Sequence, residues 1–292
     1  MNIKALNSFL EFQNLQLNDK IRIALGNHCE IKKIDSVTFY LISNREQSWL
    51  TTSNSAYIEN TFLEISFKTK INEGYNMKDR SEQKKRSLTH CSEFLDEIIF
   101  DILLVLRITN INYVGFKRMF MLYPGTAGWC SEHFVPYLYS LPFVNSSQKY
   151  SITQEIADNI SENYRMYLRL KKDNRLAAAL RRFNFAYERK LNKDKIIDYF
   201  ISLEILLGVE GKGKGKQLGQ KISNLLGKDE VSKKYFEEKI KASYHLRGEI
   251  MHTENQIVIE QLNKTTEFLE GVLREIITRK LIENWNSNDA VS

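Results

Sequence analysis

A chain of 292 residues, with 42 Lys plus Arg, 36 Asp plus Glu and a formal net charge of +6, is long enough for two compact units. Hydrophobic residues at 42% and charged residues at 27% exclude a chain disordered by composition, and thirteen Gly against three Pro exclude collagen-like or linker-like material. Three Cys, an odd number, argue against a disulfide framework and for a reducing compartment.

Residues 1–12 contain Lys4, Asn7 and Glu11 where a signal peptide would need an unbroken apolar core. Ile21, Ile23 and Leu25 alternate with Arg22 and Ala24, a strand period. Val37 to Ile42 is a β-branched and aromatic run of strand length. Leu63, Ile65 and Phe67 alternate with Glu64, Ser66 and Lys68, as in a strand wet on one face. The period then changes. Leu95, Ile98, Ile99, Ile102 and Leu106 recur at helical spacing and predict an amphipathic helix from about Glu82 to Leu106. Its longest apolar stretch, residues 98–106, holds Asp101 and falls far short of the roughly twenty residues of a membrane span. The expectation is a cytoplasmic microbial protein with no membrane association. Strand-like composition returns over residues 113–123.

The three Pro stand at 124, 136 and 142, and none follows. An interior Pro costs a helix about 3 kcal/mol, so the Pro-free remainder reads as helical. The turn-forming run Asn145-Ser146-Ser147 places a boundary near residue 147. The predicted fold class is α+β: a mixed region over 1–147 and an all-helical bundle over 148–292.

Five or six helices are expected in that second part. Ile156, Ile160 and Tyr164 line one face of the first; Leu176, Leu180, Phe183 and Tyr187 line the second. The third, with Ile196, Ile197, Phe200, Ile201, Leu206 and Leu207, is apolar enough to be central. A short fourth carries Leu218, Ile222 and Leu225 and closes at Gly227. Tyr235, Phe236, Ile240 and Tyr244 mark a fifth, and Leu262, Leu269, Leu273, Ile276 and Ile277 a last one to about Trp285. Thr253-Glu254-Asn255-Gln256 has the form of a capping box, so the last helix should begin just after Thr253, leaving His252 at the end of the helix before.

That helix end holds the residues best suited to chemistry. Arg247 and His252 lie five positions apart among Tyr244, His245 and Glu249. A His moves protons near neutral pH and an Arg offers a planar fork for a phosphate, which suits phosphodiester cleavage. Cations at a helix C-terminus also stabilise it without any chemistry, and Arg-x4-His alone is too loose to separate the two.

The run from Ala178 to Leu207, the short helix at Leu218 to Leu226, and Tyr244-His245-Leu246-Arg247-Gly248-Glu249-Ile250-Met251-His252 together resemble the HEPN superfamily, and its Apea-like group in particular. The likeness lies in an ordered set: an aromatic and Arg-rich helix, an "ID…LE.LL" helix, and a "Y.LR…H" end, over about residues 150–285. It implies a helical bundle that forms a homodimer and joins two R-x4-6-H motifs into a metal-independent endoribonuclease, with no cofactor. It further implies an anti-phage or toxin effector with RNA as substrate and an antitoxin or a phage-derived trigger as partner. Arg247 and His252 fall on the motif, and Glu204 on the glutamate of the "LE" helix, in a structural or Arg-orienting role. Many members carry Asn, Asp, His or Ser directly after the Arg, where this chain has Gly248. Five residues of an ideal helix leave Arg and His roughly 140° apart, so a helix loosened at Gly248 would be needed to bring them to one pocket. Without cleavage, such a bundle would be an RNA- or protein-binding module.

Between Arg165 and Lys221 stand fifteen Lys or Arg and six acids, a window of net charge +9. Arg181, Arg182, Lys212, Lys214 and Lys216 in it are candidate RNA contacts, although solvated helix faces are often basic too. Residues 208–216 imitate a phosphate loop, but Gly215 stands where Ser or Thr is needed and the run follows a helix. Cys130-x2-His133, His90-Cys91 and His28-Cys29 offer zinc-type ligands without a tight spacing pattern, and small buried thiols are the better reading, so no metal is expected.

Overall fold

The computed structural model describes residues 2–13, 15–17, 20–25, 29–33, 61–71, 97–111, 114–123, 129–133, 150–252 and 258–289. The chain is α+β and divides into two compact units, 1–165 and 166–292.

The first unit is built on strands β1 (Asn2–Gln13), β2 (Leu15–Leu17), β3 (Ile23–Leu25), β4 (Cys29–Lys33), β5 (Thr61–Ile71), β6 (Gly115–Tyr123), β7 (Trp129–His133) and β8 (Tyr150–Ile152). Six form an antiparallel sheet in the order β3-β4-β5-β1-β6-β7, and β2 pairs in parallel with β8. The expected alternation at residues 21–25 is realised, with Ile21, Ile23 and Leu25 buried around exposed Arg22 and Ala24. Lys32 and Glu64 form an ion pair across β4 and β5, a cross-strand contact that supports the register. Strand β1, which residue patterning does not announce, pairs with β5 from Asn2↔Ile71 to Glu11↔Phe62 and with β6 from Asn7↔Leu122 to Gln13↔Gly115. Val37 to Ile42 lies outside the described residues.

Of the helix expected over 82–106, residues 82–96 lie outside the described ones; helix α1, described over 97–108, keeps the helical period, but over 101–108 the expected wet face gives way to burial. Residues 101–108 are buried on every face, Asp101 and Arg107 included. A helix apolar nearly all round is an interior helix. Burial, and then the charge of Asp101, push the Cys29 thiol up to about 12.

Helix α2 (Gln154–Leu170) follows β8, and its first turns belong to the first unit. Asn163 Nδ2 donates to Thr109 Oγ1 at 3.3 Å. The Tyr164 phenol is pushed up by burial and then by Cys29, Asp101 and Glu97. The division between units therefore falls inside α2, at Arg165/Met166, whereas composition marks residue 147.

The second unit comprises α3 (Asn174–Ala186), α4 (Asn192–Leu207), α5 (Lys214–Leu226), α6 (Glu230–His252) and α7 (Ile259–Asp289). As its apolar composition predicts, α4 is central: it touches α3, α5, α6 and α7. Its Ile196, Tyr199, Phe200 and Leu203 are fully buried, as are Phe183 of α3, Ile222 of α5, Ile240 of α6 and Leu273 of α7. The polar groups that go inside are matched. Ser202 Oγ donates to the Ala179 carbonyl at 2.7 Å, and Tyr199 OH donates to Glu270 Oε2 at 3.2 Å. Arg274 pairs with Glu270 and donates to Tyr187 OH at 3.3 Å.

Two helix ends qualify the sequence reading. Gly227 closes α5 as expected, but with φ of −72°. Space requires the glycine there, since a Cβ would come within 2.4 Å of Lys233 Cγ and 2.6 Å of the Ser223 carbonyl oxygen. Helix α7 starts at Ile259, later than the expected position just after Thr253. The Val258 carbonyl accepts from the Gln261 and Leu262 amides at 3.0 and 3.2 Å. The capping-box residues lie outside the described ones. Among the described residues, no helix is long and apolar enough to cross a membrane.

The surroundings of Cys29 set a measurable expectation. At a pH of about 8 its alkylation by iodoacetamide should be at least ~100-fold slower in the folded chain than in urea, because burial suppresses the thiolate. Mass spectrometry of the Cys29 peptide reads it, and equal rates would contradict the buried placement.

Candidate functional site

The site begins with the end of α4. Gly208 takes the left-handed conformation (φ 61°), which lets the Val209 amide donate to the Glu204 carbonyl at 2.9 Å and closes the helix. Gly211 and Gly213, also at positive φ, turn the chain back. Gln217 Nε2 donates to the Lys212 carbonyl at 2.9 Å, and Lys221 Nζ to the Leu207 carbonyl at 2.7 Å, so the turn is tied at both ends.

This turn delivers Lys214, the first residue of α5, to Glu204 of α4: Nζ lies 2.5 Å from Oε2. The other oxygen, Oε1, accepts from Tyr244 OH of α6 at 3.2 Å. Gly215 allows the approach, because a Cβ there would stand 2.9–3.1 Å from Cδ1, Cγ and Cβ of Tyr244. Phe200 meets the Tyr244 ring edge-on, centroids 5.1 Å apart. Arg247, three residues further along α6, places its guanidinium carbon 5.4 Å from the Tyr244 ring centroid, within cation–π range. Its Nε is buried with no hydrogen-bond partner, and among the described residues Arg247 makes no ion pair.

The electrostatics follow from this geometry. Lys214 is pushed above its ordinary value, first by the hydrogen bond to Glu204 and also by that carboxylate's charge, against a desolvation cost. The Tyr244 phenol is pushed up by burial and next by the Glu204 charge, while the Arg247 cation pulls the other way.

Of the expected pair, only Arg247 lies in this cluster. His252 is exposed in the last turn of α6, and the helix runs unbroken through Gly248. The loosening that would turn the two side chains to one side within a single chain is therefore absent, and they remain roughly 140° apart. A Cβ at Gly248 would meet nothing within 4 Å, so packing does not require the glycine. His245 Nδ1 lies 3.3 Å from Glu249 Oε1 in an exposed pair.

The basic block divides in two. Arg182 Nη1 and Arg189 Nε donate to Asp198 at 3.2 and 2.7 Å, and the Asp198 side chain is only 3% exposed. That clamp is structural. Arg181, Lys212 and Lys216 are exposed. The Glu204–Lys214 pair and the close contact at Gly215 are not anticipated from sequence; the one available signal was a small residue repeating beside each lysine of residues 211–216. Among the described residues no group of three His, Cys, Asp or Glu could hold a metal. Cys130 and His133 lie on β7, and His28, His90 and Cys91 lie outside the described residues. A cleft of about 430 Å³ also opens between α6 and α7, lined by Lys239, Ser243, Leu246, Gln261, Lys264 and Thr265.

Comparison with protein-family models, curated proteins and solved structures returns no match.

Two measurements test the cluster. Gly215→Ala should destabilise the fold by about 1–3 kcal/mol, because the near part of the Tyr244 side chain cannot step aside; a urea midpoint reads it. Glu204→Gln should lower the pH at which Tyr244 ionises, read as tyrosinate absorbance against a Tyr244→Phe control. An unchanged titration would mean that the carboxylate does not face the phenol.

Proposed function

We propose that the second unit is a HEPN-type bundle and that the protein is a metal-independent endoribonuclease acting through Arg247 and His252 of two copies. The observation that carries this reading is the state of Arg247: a guanidinium packed on Tyr244 beside a carboxylate already occupied by Lys214, its Nε without a hydrogen-bond partner and the side chain in no ion pair among the described residues. An arginine kept in that state has its charge and planar fork available for a phosphate. His252 is exposed on the same helix and accessible to a second copy.

In the proposed reaction one His252 takes the proton from a ribose 2′-OH, and the freed oxygen attacks the adjacent phosphorus. The bond from phosphorus to the 5′-oxygen breaks as the second His252 protonates that oxygen, while both Arg247 side chains hold the developing negative charge. The ends are a 2′,3′-cyclic phosphate and a 5′-hydroxyl. DNA lacks the nucleophile and is not cut. Exposed Arg181, Lys212 and Lys216 would follow the RNA backbone. The biological setting proposed is a toxin or anti-phage effector in a microbial cytoplasm, restrained by an antitoxin or released by a phage-derived trigger.

A second reading draws on the unbroken helix at Gly248 and the separation of His252 from Arg247. It makes the bundle a module that binds RNA or a protein without cutting.

His252→Ala discriminates the two. Cleavage of total RNA should fall by about 10²–10⁴-fold, the usual worth of acid–base catalysis, while RNA affinity stays near wild type. Folded His252→Ala that cuts at the wild-type rate would leave the binding module as the reading to keep. Cleavage should also persist in excess EDTA, and light scattering should find the active species to be a dimer or larger. Metal-restored activity after chelation, or a fully active monomer, would reject the composite site.

A further inference from the structure

We infer that Lys214 is a positioning residue that holds Glu204 away from Arg247 and so keeps Arg247 available for a phosphate; this rests on the reading of Arg247 as the phosphate-holding group. Glu204 is the acidic group to which the cluster is tied, with a side chain only 12% exposed. A carboxylate so placed needs a counter-charge and donors for both oxygens. Lys214 supplies the charge at Oε2 and Tyr244 supplies a neutral donor at Oε1. With both oxygens engaged, Arg247 rests on the Tyr244 ring and pairs with no acid among the described residues.

Removing Lys214 would leave Glu204 without its cation. Arg247 packs on the ring of the same Tyr244 whose hydroxyl meets Glu204, so a single side chain stands between the guanidinium and the carboxylate. Guanidinium pairs with carboxylate bidentately and more strongly than ammonium does. Glu204 would then capture Arg247. The construction around Lys214 is specific to this task. Positive-φ glycines at 208, 211 and 213 aim it at Glu204, Gly215 admits Tyr244, and its neighbours Lys212 and Lys216 remain exposed.

The test follows the ¹⁵Nε–Hε resonance of Arg247, assigned by its loss in Arg247→Lys, during titration of the full chain with inorganic phosphate. In the wild type, phosphate should shift the signal. In Lys214→Met the signal should already be displaced without phosphate, and phosphate affinity should fall at least about tenfold. Lys214→Arg should retain affinity, and the double variant Glu204→Gln/Lys214→Met should recover it to within about threefold, since no carboxylate then competes. Circular dichroism checks that each variant folds. The inference is overturned if Lys214→Met binds phosphate like the wild type. It is equally overturned if affinity falls while the Arg247 signal stays put, or if the folded double variant shows no recovery. RNA cleavage is assayed in parallel. Wild-type protein that cuts no RNA while the phosphate pattern holds would remove the nuclease reading and leave the role of Lys214 standing.

Discussion

One half-buried carboxylate, Glu204, has each of its oxygens committed to a different helix, and the arrangement of α4, α5 and α6 depends on it. Charge in a poorly solvated place is tolerated only when paired and fully hydrogen-bonded. Lys214 and Tyr244 meet that demand from two directions. The demand propagates. Lys214 reaches Glu204 because three left-handed glycines shape the turn before it, and Tyr244 reaches it because Gly215 carries no side chain. Arg247 then lies on the tyrosine ring as a consequence of where the tyrosine must be.

The other buried carboxylate of α4, Asp198, is handled differently. Asp198 takes both of its partners, Arg182 and Arg189, from the α3 end of the bundle, and these guanidinium groups are committed to it. At Glu204 the cation chosen is a lysine, and the nearby arginine is left over. Two acids on one helix thus sort the basic residues of α3, α5 and α6 into those that hold the fold and those that face outward. Net charge of a segment says nothing about this sorting.

The helical unit was largely legible because its period is regular. Leu176, Leu180, Phe183 and Tyr187 are all buried as their spacing requires, and α4 is central as its composition requires. Glycine closes α5, though through lack of room and not through a left-handed φ. What was illegible depended on distant partners. Strand β1 is held by β5 and β6, whose positions along the chain no local pattern reveals. The burial of residues 101–108 of α1 on every side depends on what surrounds them, so the helical spacing of its isoleucines and leucines suggested a wet face that this stretch does not have. The pairing of Lys214 with Glu204 passes through a reversal of the chain, which periodicity cannot express. Arg247 and His252 are singled out by their order among helices, and spacing alone already implied that an intact helix would hold them apart, as α6 does.

The register of β1 has a kinetic consequence. Asn7 pairs with Leu122 and Glu11 with Arg118, so the strand must wait for more than a hundred residues of later chain before its second edge is closed. Loop closure of that span is entropically costly, and folding that relies on such distant pairing is slow and leaves strand edges open to other chains. The helical unit is assembled largely from neighbours in sequence, α3 on α4 and α5 on α6. During synthesis and refolding, the first unit is therefore the one whose edges stay open longer, and the helices that carry Arg247 can form on a much shorter clock.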